Sequence, residues 1–200
     1  ATRVNSAGLI EASAINVPRL DYLGSTCPRL LLEPQRTNSA TYSEQFDNAA
    51  WTKSNSTITA NAAVSPNGTT SADKIVETAT TSGHSAYEAI SVTNGATYTL
   101  SVFAKAAERT RVWVDLYGGT NAAVFDLITG TIIATSAGST SKIENFGNGW
   151  YRCSVYDATP GTDVRIYARN GASFAGNNVN GFFLWGGQAE IAANATSYIP

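Results

Sequence analysis

The chain carries little charge. Asp, Glu, Lys and Arg make up 14% of its 200 residues, and the formal net charge is −2. In folded proteins, charged residues ordinarily make up about a quarter of the sequence. No lysine or arginine cluster runs along the sequence, so no nucleic-acid partner is expected. No apolar run approaches the roughly 20 residues needed to cross a bilayer, so no membrane partner is expected either.

Residues that serve common catalytic sites are also scarce. His84 is the only histidine, and no Gly-x-Ser-x-Gly elbow is present. Two cysteines, Cys27 and Cys153, are too few and too far apart for a zinc site. They are either free thiols or a disulfide that ties the N-terminal segment to the rest of the chain. The absence of methionine, in a chain that opens at Ala1, indicates a processed protein or a piece of a longer one.

Two carboxylates can hydrolyse a glycosidic bond when they face each other across a substrate. The sequence offers several carboxylates in predicted strands but shows no facing pair. We therefore predict that the chain is not an enzyme. The carboxylates considered are Glu88, Asp115, Asp126 and Asp157.

Glycine, threonine, serine and asparagine are plentiful, and turn signals recur about every ten residues along short β-branched and aromatic segments. This pattern predicts many short antiparallel strands with almost no helix, and therefore an all-β, two-sheet sandwich or a barrel. Hairpins are predicted at Asn94-Gly95 and Thr129-Gly130. Further turn signals are Gly147-Asn148-Gly149 and Asn170-Gly171.

The first 40 residues differ from the rest, because they hold three of the six prolines and no sustained period. We predict an extended, Pro-rich connector over residues 1–40 that packs on a sandwich formed by residues 41–200. The short apolar run around Leu30 and Leu32 is the expected contact, since so few residues cannot bury a core alone.

Three predicted strands alternate between an aliphatic face and a face of aromatic and charged residues. In Val112–Tyr117 the aliphatic residues are Val112 and Val114. Aromatic rings cover the apolar face of a sugar, and Arg or Asp form paired hydrogen bonds to its hydroxyls. We therefore predict a ligand face, and assign Trp51 and Trp185 to packing. The predicted ligand-binding residues are Trp113, Asp115, Tyr117, Arg165, Tyr167, Arg169, Trp150 and Arg152.

A set of motifs spread over nearly the whole chain resembles domains of phage and prophage tail fibres and tailspikes, and through them the jelly-roll carbohydrate-binding modules of families 4 and 9. The motifs are specific only as a set. They are Leu31-Leu32-Glu33-Pro34-Gln35-Arg36-Thr37-Asn38, Tyr42-Ser43-Glu44-Gln45-Phe46-Asp47, Phe125-Asp126-Leu127, Gly149-Trp150-Tyr151-Arg152-Cys153, Trp185-Gly186-Gly187-Gln188-Ala189-Glu190 and Thr196-Ser197-Tyr198-Ile199-Pro200.

The resemblance implies an antiparallel jelly-roll sandwich located in the phage tail of a virion, extracellular on release. It implies a non-catalytic module that attaches to a polysaccharide or host-surface glycan, with other tail subunits as further partners. Some such modules hold a structural calcium ion, for which Glu44, Asp47 and Glu190 are the candidate ligands here.

Two alternatives stay open beside glycan attachment. One is a purely structural tail-fibre domain for spacing or oligomerisation, and the other is a glycan-cleaving domain with two facing carboxylates. An open face around Trp113 favours binding, whereas a covered face favours the structural role.

Overall fold

The computed structural model of the chain describes residues 1–93, 95–116, 122–157, 163–168 and 173–200, with the backbone alone at 167–168. Within these ranges no helix is long and apolar enough to cross a lipid bilayer. The strands are β1 (Thr2–Val4), β2 (Ile10–Ala12), β3 (Leu20–Asp21), β4 (Arg29–Leu30), β5 (Thr52–Ser54), β6 (Ser56–Val64), β7 (Thr70–Glu77), β8 (Thr81–Ser82), β9 (His84–Ala89), β10 (Tyr98–Ala106), β11 (Arg111–Asp115), β12 (Ala122–Asp126), β13 (Thr131–Thr135), β14 (Thr140–Asn145), β15 (Trp150–Asp157), β16 (Asp163–Ala168), β17 (Phe174–Ala175) and β18 (Gly181–Ile191).

Two antiparallel six-stranded sheets form the body of the molecule. Sheet I has the order β14-β15-β10-β18-β7-β6, and sheet II has the order β13-β12-β11-β16-β9-β5. Their central strands, β7-β18-β10-β15 and β9-β16-β11-β12, follow the jelly-roll order, in which the chain crosses repeatedly between two sheets. The predicted all-β, two-sheet antiparallel fold is confirmed.

The main core lies between the sheets and follows the period-two alternation of the strands. Leu100 and Val102 point inward from β10 of sheet I, and Val112, Val114 and Ile166 point inward from sheet II. All five side chains are fully buried. The predicted aliphatic face of β11 is therefore a core face, as is usual for one side of each sheet in a sandwich.

The outer face of sheet I is covered by the two ends of the chain. A second apolar cluster joins Val4 and Ile10 of the β1–β2 hairpin to Trp150, Trp185 and Tyr198. Trp51 and Trp185 are both buried, as predicted for packing residues.

The N-terminal segment contacts the sandwich through apolar residues other than the predicted ones. Leu30 and Leu32 are 56% and 81% exposed, so the prediction that they form the contact is wrong. Among the described residues, β4 pairs with β3 in a separate two-stranded sheet and not with sheet I. Val4 and Ile10 take that role.

One of the two predicted hairpins is confirmed and the other is wrong, and a further turn signal also joins a hairpin. Thr129-Gly130 joins the paired strands β12 and β13, and Gly147-Asn148-Gly149 joins β14 and β15. The Asn94-Gly95 segment instead connects β9 of sheet II to β10 of sheet I. Asn94 itself and Asn170-Gly171 lie outside the described residues. Cys27 is exposed and Cys153 is buried, and both are free thiols.

Gly186 shows why the Trp185-Gly186-Gly187 motif needs glycine. The pairing of β10 with β18 shifts register near this point, and Gly186 has a φ of 61°. A Cβ atom there would lie 2.9 Å from Cδ2 of Phe103. A positive φ and a close aromatic ring together favour glycine.

Candidate functional site

The outer face of sheet II brings the central residues of the predicted ligand face together. Trp113 of β11 lies directly opposite Tyr167 of β16, and Asp115 lies opposite Arg165. Residues that are directly opposite on antiparallel strands point to the same side of the sheet. Trp113 is partly exposed. Tyr117 and Arg169 lie outside the described residues, as does the side chain of Tyr167.

Arg165 is held in place on this face by two neighbours. Its Nη2 lies 2.5 Å from Oδ2 of Asp163 on the same strand, and its guanidinium carbon lies 4.8 Å from the ring centre of Tyr87. A planar guanidinium over an aromatic ring is a favourable cation–π arrangement. The ion pair and the ring together fix the orientation of a group that forms directional hydrogen bonds.

Sequence reasoning missed Tyr87 and Asp163. Tyr87 lies opposite Arg165 across the β16–β9 pair and is partly exposed. The signal was present in the alternation of β9, where Tyr87 stands on the face opposite to buried Ala86 and Glu88. What the sequence did not show is that β9 pairs with β16.

Asp115 departs from its predicted environment. It is on the outer side of sheet II but has 0% exposure, so the prediction of a solvent-exposed carboxylate is wrong. Its carboxylate interacts within the protein, as a buried charge must to offset its desolvation.

Trp150 and Arg152 lie on the other sheet. They belong to β15 of sheet I and are 2% and 4% exposed, which corrects their assignment to an open ligand face. The indole Nε1 of Trp150 donates to the Val64 carbonyl oxygen at 3.0 Å. The alternation identified the correct side of β15, but the chain ends cover that side.

Arg152 joins sheet I to the C-terminal segment. Its Nε and Nη2 donate to Ser101 Oγ at 3.2 and 2.9 Å, and its Nη1 donates to the Thr196 carbonyl oxygen at 2.5 Å. Burial lowers the pKa of Arg152, and the nearby carboxylates of Glu144 and Glu190 oppose that shift. Arg152 therefore links β15 to β10 and to the C-terminal segment.

Two further residues of the motif set, Glu190 and Asn38, act in the same junction. Glu190 accepts from the Thr196 backbone N and Oγ1 at 2.9 and 2.7 Å. Asn38 donates to the carbonyl oxygens of Gly187 and Ile199 and accepts from the backbone N of Ala189. Segments far apart in sequence are thus joined by side chains of the motif set.

The three predicted calcium ligands are each engaged elsewhere or exposed. Glu44 accepts from the Tyr198 hydroxyl at 3.0 Å, and Glu190 binds Thr196. Asp47 is exposed, and its carbonyl oxygen accepts from Lys53 Nζ at 2.7 Å. The described part of the chain holds no cluster of three His, Cys, Asp or Glu side chains suited to a metal ion. The calcium ion therefore remains an untested expectation.

The lone histidine is buried and not on the surface. The ring nitrogens of His84 face two backbone carbonyl oxygens, with Nδ1 2.5 Å from that of Asn55 and Nε2 3.2 Å from that of Phe174. The ring also lies 4.7 Å from the ring of Phe174. Both nitrogens are occupied by main-chain contacts, so His84 connects the β5–β6 junction to β17.

The carboxylates considered for hydrolysis occupy separate environments. Glu88 accepts from the backbone N and hydroxyl of Thr41, and burial raises its pKa. Asp126 accepts from the backbone N of Thr129 within its turn, and this hydrogen bond lowers its pKa. Asp157 is buried and accepts from Ser139 Oγ.

No protein-family model matches the chain, and no curated protein matches it. Among solved structures, the chain is similar to the crystal structure of the enzymatically active domain of tailspike protein 4 from bacteriophage CBA120. The TM-score is 0.42 and the sequence identity is 14%, over 76% of this chain and 21% of that chain. The matched region thus spans about a fifth of that chain's length.

This neighbour corrects one prediction. It is described as an enzymatically active domain, so the prediction that the present chain is not an enzyme is not retained. A similarity at this level carries no argument for a particular activity or substrate in this chain.

Proposed function

We propose that the chain is a glycan-binding domain of a phage tail protein, carried in the virion. The observation that supports the proposal best is the outer face of sheet II, where Trp113 stands opposite Tyr167 and beside Arg165. An aromatic ring covers the apolar side of a pyranose, while an oriented guanidinium donates paired hydrogen bonds to hydroxyl groups.

The contrast between the two outer faces supports this location. Sheet I is covered by both chain ends, whereas Trp113, Tyr87 and Arg165 on sheet II keep partial exposure. An aromatic side chain beside an oriented ion pair on a partly exposed sheet face is typical of a ligand surface. The proposed location in a phage tail rests on the motif set, and the proposed partner is a polysaccharide or host-surface glycan.

A structural tail-fibre domain is the second candidate, and one observation favours it. Leu20 and Leu30 lie opposite each other in the β3–β4 pair and are both exposed, with Leu32 close by in sequence and also exposed. Exposed apolar side chains near one another are typical of protein contact surfaces. This candidate predicts association between copies of the chain or with other tail subunits.

A glycan array probed with the fluorescently labelled chain tests the two candidates, together with sedimentation velocity of the same sample. The proposed function predicts selective retention on a subset of bacterial surface glycans. Mass spectrometry of the retained glycans then shows whether they are cleaved. A chain that binds no glycan but sediments as a stable oligomer contradicts the proposal and supports the structural candidate.

A further inference from the structure

A cavity of about 210 Å³ lies on the outer side of sheet I, away from the Trp113 face. It opens between the β1–β2 hairpin, strands β14 and β15, and the C-terminal segment. Arg152, Glu144, Glu33, Lys142, Phe146 and Thr196 are among the residues that line it. Its volume is below the roughly 300–1,000 Å³ of pockets for drug-sized ligands, so it suits a smaller molecule.

Arg152 lines this cavity and has N–H groups that form no hydrogen bond in the described ranges. A guanidinium carries five N–H groups, and three hydrogen bonds engage Ser101 and Thr196. One N–H on each terminal nitrogen is left without a partner in the described ranges. No carboxylate of the described chain forms an ion pair with this guanidinium, although it is 4% exposed. A buried donor pair of this kind favours a ligand that accepts hydrogen bonds.

Glu144 supplies an acceptor beside those donors. It lies directly opposite Arg152 across the β14–β15 pair, so both side chains point to the same face. Its carboxylate forms an ion pair of 2.8 Å with Lys142 on the same strand, and the side chain is 25% exposed. The cavity therefore presents a cationic donor and an anionic acceptor side by side.

Phe146 supplies a partly exposed aromatic ring. It packs edge-on against buried Phe103, with ring centres 4.8 Å apart. This contact fixes the ring at the wall of the cavity. An aromatic ring next to paired donors and acceptors matches the apolar face and the hydroxyl rim of a sugar.

We infer that this cavity is a second carbohydrate subsite that takes a single neutral sugar ring. A hydroxyl group accepts from Arg152 and donates to Glu144 at once, which neither a cation nor an anion does. The lining carries cations and carboxylates in equal number, so neither charge sign is favoured over a neutral ligand. The cations are Arg3, Lys142 and Arg152, and the carboxylates are Asp21, Glu33 and Glu144. The subsite is independent of the Trp113 face, so one chain has two sugar contacts on opposite sides of the sandwich.

The test is a titration of the ¹⁵N-labelled chain with glucose, galactose, N-acetylglucosamine and galacturonate, up to about 50 mM to cover weak affinities. At least one neutral sugar should shift the amides of Glu144, Thr196 and Ser197. Glu144→Gln should weaken that binding about tenfold, the usual order for a hydrogen bond to a charged group. Glu108→Gln removes a similar ion-paired carboxylate, with Lys74, away from the cavity and should leave the affinity unchanged.

Trp113→Ala separates this inference from the proposed function, because it should leave the shifts at the cavity intact. The inference is overturned when no neutral sugar shifts the cavity amides, when Glu144→Gln binds as the unmodified chain does, or when galacturonate binds as tightly as galactose. None of these results depends on whether the Trp113 face binds glycan.

Discussion

Trp113 and Tyr167 lie directly opposite each other across the antiparallel pair of β11 and β16, although they are far apart in the sequence. The next pair on the same side of the sheet is Asp115 with Arg165. Strand positions from two distant segments thereby lie on one outer face, while the side chains of Val112 and Val114 of the same strand enter the core. A single strand pairing creates both the core and the candidate ligand surface.

Asn38 should be a major stabilising residue of the chain-end junction. Its side chain forms hydrogen bonds with the backbone of Ala40, Gly187, Ala189 and Ile199. Asn38→Ala leaves these groups without their partner, and we expect the free energy of unfolding to fall by about 2–4 kcal/mol. Urea denaturation measures the loss. Asn194→Ala, at an exposed asparagine, should stay within about 0.5 kcal/mol. Equal effects of the two substitutions contradict the assigned role.

Both the framework of the fold and part of the site follow from local sequence signals. The alternation in Val112–Tyr117 predicted which side of that strand is core, and the Thr129-Gly130 turn predicted a hairpin. The cover over sheet I depends on contacts such as Thr2 Oγ1 to the Tyr198 carbonyl oxygen at 2.7 Å, between residues 196 positions apart. The alternation of residues along a single strand cannot reveal such a long-range contact. The sequence analysis therefore placed Trp150 on an open face.

The Asn94-Gly95 prediction failed for a related reason. A tight-turn dipeptide indicates that the chain changes direction, but it does not say whether the next strand pairs with the last one. Here β10 enters the opposite sheet. The pairing of β9 with β16, which brings Tyr87 to Arg165, is set by the same long-range topology.

The ion pair of Arg109 with Glu77 should show strong coupling. Arg109 Nε and Nη2 each lie 2.7 Å from a Glu77 oxygen, and the Glu77 side chain has 0% exposure. Arg109→Met leaves a buried carboxylate without its cation, which should cost about 3–5 kcal/mol. The double variant Glu77→Gln with Arg109→Met should lose less than Arg109→Met alone. A double-mutant cycle by urea denaturation measures the coupling, and additive losses contradict it.

Glu88 should make stability depend on pH with a defined sign. Burial raises the pKa of its carboxyl above the ordinary value of 4.5, and the hydrogen bonds from Thr41 oppose the rise only in part. The folded chain then holds this proton more tightly than the unfolded chain, so stability falls as pH rises from about 4.5 through the folded pKa. The melting temperature of Glu88→Gln should therefore rise relative to that of the unmodified chain over that pH interval.

Glu108 provides the opposite control for that melting series. Its hydrogen bond with Lys74 lowers the pKa of the Glu108 carboxyl, so its contribution is present above the ordinary pKa and is lost as pH falls. The melting temperature of Glu108→Gln should fall relative to that of the unmodified chain as pH rises. If the melting temperatures of both variants change with pH in the same way, the effect assigned to the burial of Glu88 is refuted.

Calcium should not stabilise the chain through Glu44, Asp47 and Glu190. Glu190 already accepts hydrogen bonds from Thr196, and Glu44 accepts one from Tyr198, so a shared ion would have to replace these contacts. The melting temperature in excess calcium should match that in EDTA. A ligand that binds the folded state raises its stability. A calcium-dependent rise in melting temperature that Glu190→Gln abolishes therefore contradicts this expectation and restores the calcium assignment.

The most direct test of the glycan-binding face is Trp113→Ala, measured by calorimetry against a glycan retained on the array, with a thermal melt of the same sample. We expect a loss of about 1–3 kcal/mol in binding, by analogy with aromatic stacking on nucleobases, and a largely retained melting temperature, because Val112 and Val114 still fill the core. Tyr42→Ala, which removes an exposed aromatic side chain outside this face, should bind normally. Unchanged binding by a folded Trp113→Ala chain contradicts the account, and so does a variant that loses binding only because it unfolds.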